Sequence, residues 1–292
     1  MTLKNLLFVA LFAIAFTACK DDDDTPSTEQ LQLNLSGLED LGDNFTYEGW
    51  IIVDGSPVTT GTFEVDANGT MSKTSFEVDA EQLESATTFV LTIEPSPDND
   101  PAPSDVHILA GDFTGTSADL TVRHEAALGN DFTSSTGTFI MATPTDGMNN
   151  NERSGVWFLD PTAGPGPGLD LPTLPAGWKY EGWAVIDGTP VSTGTFTDVA
   201  AADEGATYSG AMAGPPFPGE DFIVNAPNGL SFPTDLRGAT AVISIEPSPD
   251  NSPAPFLLKP LVSPIEMVAE DHSPLQMSNN ATATNPTGTA TK

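Results

Sequence analysis

The chain is 292 residues long and sets 41 acidic side chains against 9 basic ones, a formal net charge of −32. So acidic a surface repels nucleic-acid phosphates and anionic lipid head groups, which excludes nucleic acid as a partner. Its 26 Gly, 26 Pro and single Cys describe a turn-rich chain with no disulfide, long enough for two domains that each rely on an apolar core.

In chain order, Lys4 opens a basic start, residues 6–15 are almost unbrokenly apolar, and Phe16-Thr17-Ala18 lead to Cys19. Basic, apolar and small-residue regions in that order make a secretory signal over residues 1–18. The apolar run falls far short of the ~20 residues a membrane-spanning helix needs, and an acidic run follows it closely. Cys19 sits where a lipobox places its cysteine, with Phe16 where Leu is usual. It is the predicted lipidation site, and its lipid the predicted membrane anchor. Lys20 and the aspartates 21–24 cannot pack among like charges, so residues 19–29 read as an acidic tether. A Lys followed by acids also resembles a tag for export to the cell surface, which predicts an outer-membrane, surface-exposed location.

Beyond the tether the chain repeats itself. Tyr47-Glu48-Gly49-Trp50 returns as Tyr180-Glu181-Gly182-Trp183, and Asp54-Gly55-Ser56-Pro57-Val58 as Asp187-Gly188-Thr189-Pro190-Val191, each 133 positions on. Ile93-Glu94-Pro95-Ser96-Pro97-Asp98-Asn99 returns 152 positions on, from Ile245 to Asn251. The second copy therefore holds about nineteen extra residues, a Gly/Pro-rich loop around 211–228. Three blocks in one order mean duplication.

Residues 47–53 and 58–65 predict a hairpin closed by Asp54-Gly55, with both faces of its first strand apolar, as in an inner strand. Residues 89–93 and 241–245 predict a short apolar strand that stops at Glu-Pro, because proline cannot donate to a ladder. Residues 107–109, 138–142, 156–159 and 256–258 add further strands. The fold class expected is all-β, with two tandem antiparallel β-sandwich domains over residues 30–160 and 173–269. A Pro/Gly linker (161–172) joins them, and 270–292, poor in apolar residues, is expected to be a disordered tail.

Chemistry-bearing residues are few. His107, His124 and His272 form no metal pair or triad order, and no CxxC or phosphate loop is present. Glu94 and Glu246 are the best carboxylate candidates, weighed against the simpler expectation of exposed strand-end residues kept for the turn. Asp146-Gly147-Met148-Asn149-Asn150-Asn151-Glu152 and Asp98-Asn99-Asp100 offer clustered oxygens of the kind Ca²⁺ takes, without the EF-hand spacing, and such residues also make Asx turns. Trp50, Trp157, Trp178 and Trp183 are candidate sugar-stacking platforms if exposed, and core residues otherwise. No catalytic, cofactor or metal residue is assigned, no cofactor is expected, and an enzyme is not.

The repeated blocks resemble the extracytoplasmic C-terminal domain of anti-sigma-K factors of the RskA type. They do so through Trp50, the Pro57-Val58 and Gly61-Thr62-Phe63 return strand, Ile93-Glu94-Pro95 and Pro101/Pro103, and again through Trp183, Pro190-Val191, Gly194-Thr195-Phe196, Ile245-Glu246-Pro247 and Pro253/Pro255. The resemblance implies a sensor-like β domain outside the cytoplasm. Nothing before Leu31 could be the family's sigma-gripping segment or its membrane helix, so direct sigma-factor binding is not expected. The expected function is thus a non-enzymatic cell-envelope lipoprotein with a structural, sensory or partner-binding role toward an envelope protein or glycan. The alternative is a calcium- or glycan-binding, adhesin-like surface module.

Overall fold

The computed structural model describes residues 27–147, 150–250 and 252–292. The signal, Cys19 and residues 20–24 lie outside the described residues. From the N-terminus run β1 (Thr28–Ser36), β2 (Phe45–Val53), β3 (Ser56–Phe63), β4 (Ser75–Asp79), the short helix α1 (Ala80–Ser85), β5 (Thr88–Pro95), β6 (His107–Asp112) and β7 (Ser117–Thr121). There follow β8 (Thr136–Met141), β9 (Gly155–Trp157), β10 (Leu159–Asp160), β11 (Gly166–Pro167) and β12 (Leu169–Asp170). The second copy opens with β13 (Trp178–Ile186), β14 (Thr189–Phe196), β15 (Gly219–Asp221), β16 (Thr240–Pro247) and β17 (Leu261–Pro264). The chain ends with β18 (Leu275–Gln276), β19 (Ser278–Asn279), the single-turn helix α2 (Ala281–Thr284) and β20 (Thr287–Thr291). The architecture is nearly all-β and its ladders are antiparallel, as composition predicted.

The hairpins form where turn chemistry placed them. Asp54 and Gly55 take φ of 49° and 77°, and Asp187 and Gly188 take 50° and 81°, the paired left-handed conformation a two-residue hairpin turn requires. Both hairpins share one register: Tyr47 faces Phe63 and Gly49 faces Gly61, as Tyr180 faces Phe196 and Gly182 faces Gly194. Each then shifts by a bulge before its tryptophan. The next strand keeps step as well, with Glu48 opposite Thr92 and Glu181 opposite Ser244. Tyr47 and Ile51 face the main core, while Trp50 packs with Val90, Ala110 and Ala127 on the other side. Both faces of β2 are thus covered, as its composition implied.

The domain boundaries are where structure and sequence part. The first sheet has the order β3-β2-β5-β6-β7-β20-β1-β4, so the C-terminal β20 lies inside the sheet of the first copy, between β7 and β1. The expectation of a disordered 270–292 tail is therefore wrong. Ala290 is fully buried and Gly288 lies against Asn34 and Leu35. Small inward residues alternating with threonines make a strand held by its ladder rather than by apolar area. Conversely, β8 and β9, from the first stretch, form a sheet ordered β12-β8-β9-β15, and β18 also pairs with β8. The 161–172 segment contributes β11 and β12 to ladders and is not a free linker. One apolar cluster runs through both copies, including Leu31, Phe76 and Phe89 with Phe158, Tyr180 and Ile243. Exchange of strands has merged the two predicted cores.

The glycine of each Tyr-Glu-Gly-Trp block is required by this packing. A Cβ on Gly182 would lie 2.3 Å from Thr193 Oγ1 and 2.6 Å from the Phe158 ring, and one on Gly49 would lie 2.5 Å from Thr60 Oγ1. Gly182→Ala should cost roughly 1–3 kcal/mol through overpacking, lowering the thermal midpoint by several degrees. A circular-dichroism melt unchanged from wild type would show that the Phe158 contact is looser than described.

Candidate functional site

The strand register places one carboxylate pair in each copy on a single sheet face. Glu48 and Thr46 share a face of β2, and their partners on β5 are Thr92 and Glu94. In the second copy Glu181 and Lys179 on β13 pair with Ser244 and Glu246 on β16. Each pair of glutamates is therefore diagonal across two strands, within reach of long side chains.

Glu94 and Glu246 are not exposed strand-end residues, as the turn alone suggested. They are 1% and 0% exposed, because the proline-rich loop after each strand folds back over the strand end. The Ser104 amide donates to Glu94 Oε1 and Oε2 at 2.9 and 3.2 Å, and the Phe256 amide donates to Glu246 Oε1 and Oε2 at 2.9 and 3.2 Å. The repeated carboxylate shapes its own loop. The second pair, Glu48 and Glu181, was missed in the sequence; its signal was an acid recurring inside an otherwise apolar strand. Thr59 Oγ1 donates to Glu48 Oε1, and Ser192 Oγ, at the equivalent place, donates to Glu181 Oε1.

The copies diverge at the next hydroxyl. Trp50 Nε1 donates to Thr92 Oγ1 at 2.9 Å, and Thr92 Oγ1 contacts the Glu48 carbonyl oxygen at 3.4 Å. Trp183 Nε1 donates to Ser244 Oγ at 2.8 Å, and Ser244 Oγ donates to Glu246 Oε1. The indole N–H thus fixes a hydroxyl against the acid cluster only in the second copy. There Glu181, Glu246 and Asp250 bring carboxylate oxygens within 4.8 Å of one another. Asp98 is the first-copy counterpart of Asp250 and acts electrostatically on Glu48 together with Glu94.

Burial dominates the electrostatics. It pushes Glu181 up to about 7 and Glu246 up to about 8, against the hydroxyl bonds that lower them. It raises Glu48 too. Asp203 is raised to about 7 by burial, opposed by the Gly219 and Gly205 amides and reinforced by Glu220 and Glu181. Glu39 rises to about 7 by burial, with Lys259 pulling it back. A cleft of about 310 Å³ between the copies is lined by Asp40, Phe45, Pro247, Asp250 and Phe256, among others.

Other predicted residues fall elsewhere. The four tryptophans are 2–4% exposed, so they are core residues rather than sugar platforms. Trp157 Nε1 donates to Asp221 Oδ1 at 2.8 Å, and Trp178 packs on Phe256 at 5.9 Å between ring centres. Of the two oxygen-rich clusters weighed for calcium, in the first along the chain Asp98 and Asp100 each accept a turn amide, at 2.9 and 3.0 Å. In the second, Asp146 ends a 3₁₀ turn, Glu152 accepts from the Thr143 amide, and Met148 and Asn149 lie outside the described residues. His107 lies 2.9 Å from the Ala126 carbonyl, His124 beside Asp112, and His272 beside Glu152 and Asp271.

Residues 24–107 match the family model described as anti-sigma-K factor rskA, C-terminal. Over these residues the first copy is similar to that anti-sigma-factor domain. The match takes in Glu48, Glu94 and Asp98 and stops at the first residue of β6, covering less than half of the chain. Searches of curated proteins and of solved structures found no match. Among the described residues no helix is long and apolar enough to cross a membrane.

Proposed function

We propose that the chain is a non-enzymatic cell-envelope lipoprotein, anchored through a lipid on Cys19, whose duplicated anti-sigma-K-type β unit is a sensory or partner-binding module without a direct grip on a sigma factor. The observation that carries this reading is the family match at residues 24–107, together with the recurrence of the same ladder register in β13, β14 and β16. The repeated carboxylates support a non-catalytic role, since hydroxyls and backbone amides hold them to shape loops. An outer-membrane, outward-facing position follows from the Lys20 and aspartate run after Cys19.

The test is fractionation of cells carrying the wild-type chain or Cys19→Ala, with metabolic labelling by an alkyne fatty acid. Wild type should label and sediment with the outer membrane, and be shaved from intact cells by protease. Cys19→Ala should lose the label and appear in the soluble fraction. An unlabelled, soluble wild-type chain would overturn the anchor.

A cation-binding alternative keeps one specific support, the close approach of Glu181, Glu246 and Asp250. Its glycan half has lost its platforms, because the tryptophans are buried.

A further inference from the structure

We propose that Glu181, Glu246 and Asp250 together hold a divalent cation, Ca²⁺ by size and donor type, beside the cleft between the two copies. The three residues come from β13, the end of β16 and the loop after it, so the site exists only once the repeat has folded. Each can offer a carboxylate oxygen, and these lie within 4.8 Å of one another. Ligands on opposite sides of a calcium ion, each about 2.4 Å from it, stand about 4.8 Å apart. The donors are all hard oxygens with no imidazole or thiolate among them, which favours Ca²⁺ over zinc or copper.

A second observation points to the same ligand. Glu181 is 5% exposed, its Oε1 accepts from Ser192, and its Oε2 is buried without a hydrogen-bond partner. A buried carboxylate oxygen left unpaired is expensive, and a cation among the three acids would satisfy it. Asp250 is exposed and borders the cleft, which gives an ion its way in. The first copy supplies an internal control. Glu48, Glu94 and Asp98 occupy the corresponding positions, but among the described residues only the second-copy trio meets the distance condition.

Isothermal titration of the chelator-treated full chain with CaCl₂ tests the assignment, repeated for Asp250→Asn, Glu181→Gln and Glu48→Gln. Wild type should show one saturable site and a higher melting point in Ca²⁺. Asp250→Asn, at an exposed position, should weaken binding by about 10-fold or more with the calcium-free melting point close to wild type, and Glu181→Gln should weaken it at least as much. Glu48→Gln should leave it unchanged. No saturable binding by wild type, or undiminished binding in both Asp250→Asn and Glu181→Gln, would overturn the site. Tighter binding of Mg²⁺ than of Ca²⁺ would overturn the choice of ion. The result is independent of the lipid anchor, which Cys19→Ala tests separately.

Discussion

Deleting residues 286–292 should destabilise the whole protein, lowering its thermal midpoint by more than about 10 °C or leaving it aggregated. The deletion removes β20, which pairs with five residues of β1 on one side and five of β7 on the other. Two strands inside the sheet would become open edges, and open edges template association between chains. Lys292 is lost as well; its ammonium donates to the Glu84 and Ala86 carbonyls at 2.9 Å each and lies 4.6 Å from the Phe113 ring centre. Size-exclusion chromatography and a circular-dichroism melt would decide the matter. An unchanged elution volume and midpoint would mean that the C-terminus is dispensable, as its composition suggested.

That strand shows where sequence reasoning stops. The hairpins were legible because their cause is local: Asp-Gly supplies the turn, and β-branched and aromatic residues flank it. The stop at Glu-Pro was legible for the same reason. Residues 286–291, Pro-Thr-Gly-Thr-Ala-Thr, carry almost no apolar area, so a hydrophobicity count discards them. What holds them is a gap between β1 and β7, and that gap is made by residues more than a hundred and fifty positions away. The exchange of β8 and β9 into the second copy has the same origin. Repetition in sequence implied two self-contained domains, while strand pairing joined them through Phe158 and Gly182.

The candidate site divides along similar lines. Glu94, Glu246 and the Asp98 turn drew notice because they recur or cluster, but their burial depends on loops folding back, which no local rule foretells. Glu181 was hidden among the apolar residues of its strand. Its meaning came from the diagonal register with Glu246, a long-range fact.

Two partly buried acids outside that cluster predict that the protein is more stable at pH 5 than at pH 8, by about 10 °C in thermal midpoint. Asp203 and Glu39 carry the argument. Unfolded, they ionise near their ordinary values of 3.8 and 4.5; folded, burial holds each proton until about pH 7. Between those limits the folded state binds more protons than the unfolded one, so stability falls as pH rises through about 4 to 7. Above that window both states are ionised and the full penalty of burying the charges is present. Neighbouring charge adjusts the size but not the sign. Glu220 and Glu181 press on Asp203, while Glu39 has Lys259 against it and Asp250 and Asp40 adding to it. Melts from pH 4.5 to 8.5 in chelator should therefore slope downward. Removing one contributor by Asp203→Asn, whose single oxygen can still accept from one of the Gly219 and Gly205 amides, should flatten the slope. A profile rising with pH, or one that Asp203→Asn leaves as steep as before, would show that these carboxylates ionise freely in the folded protein.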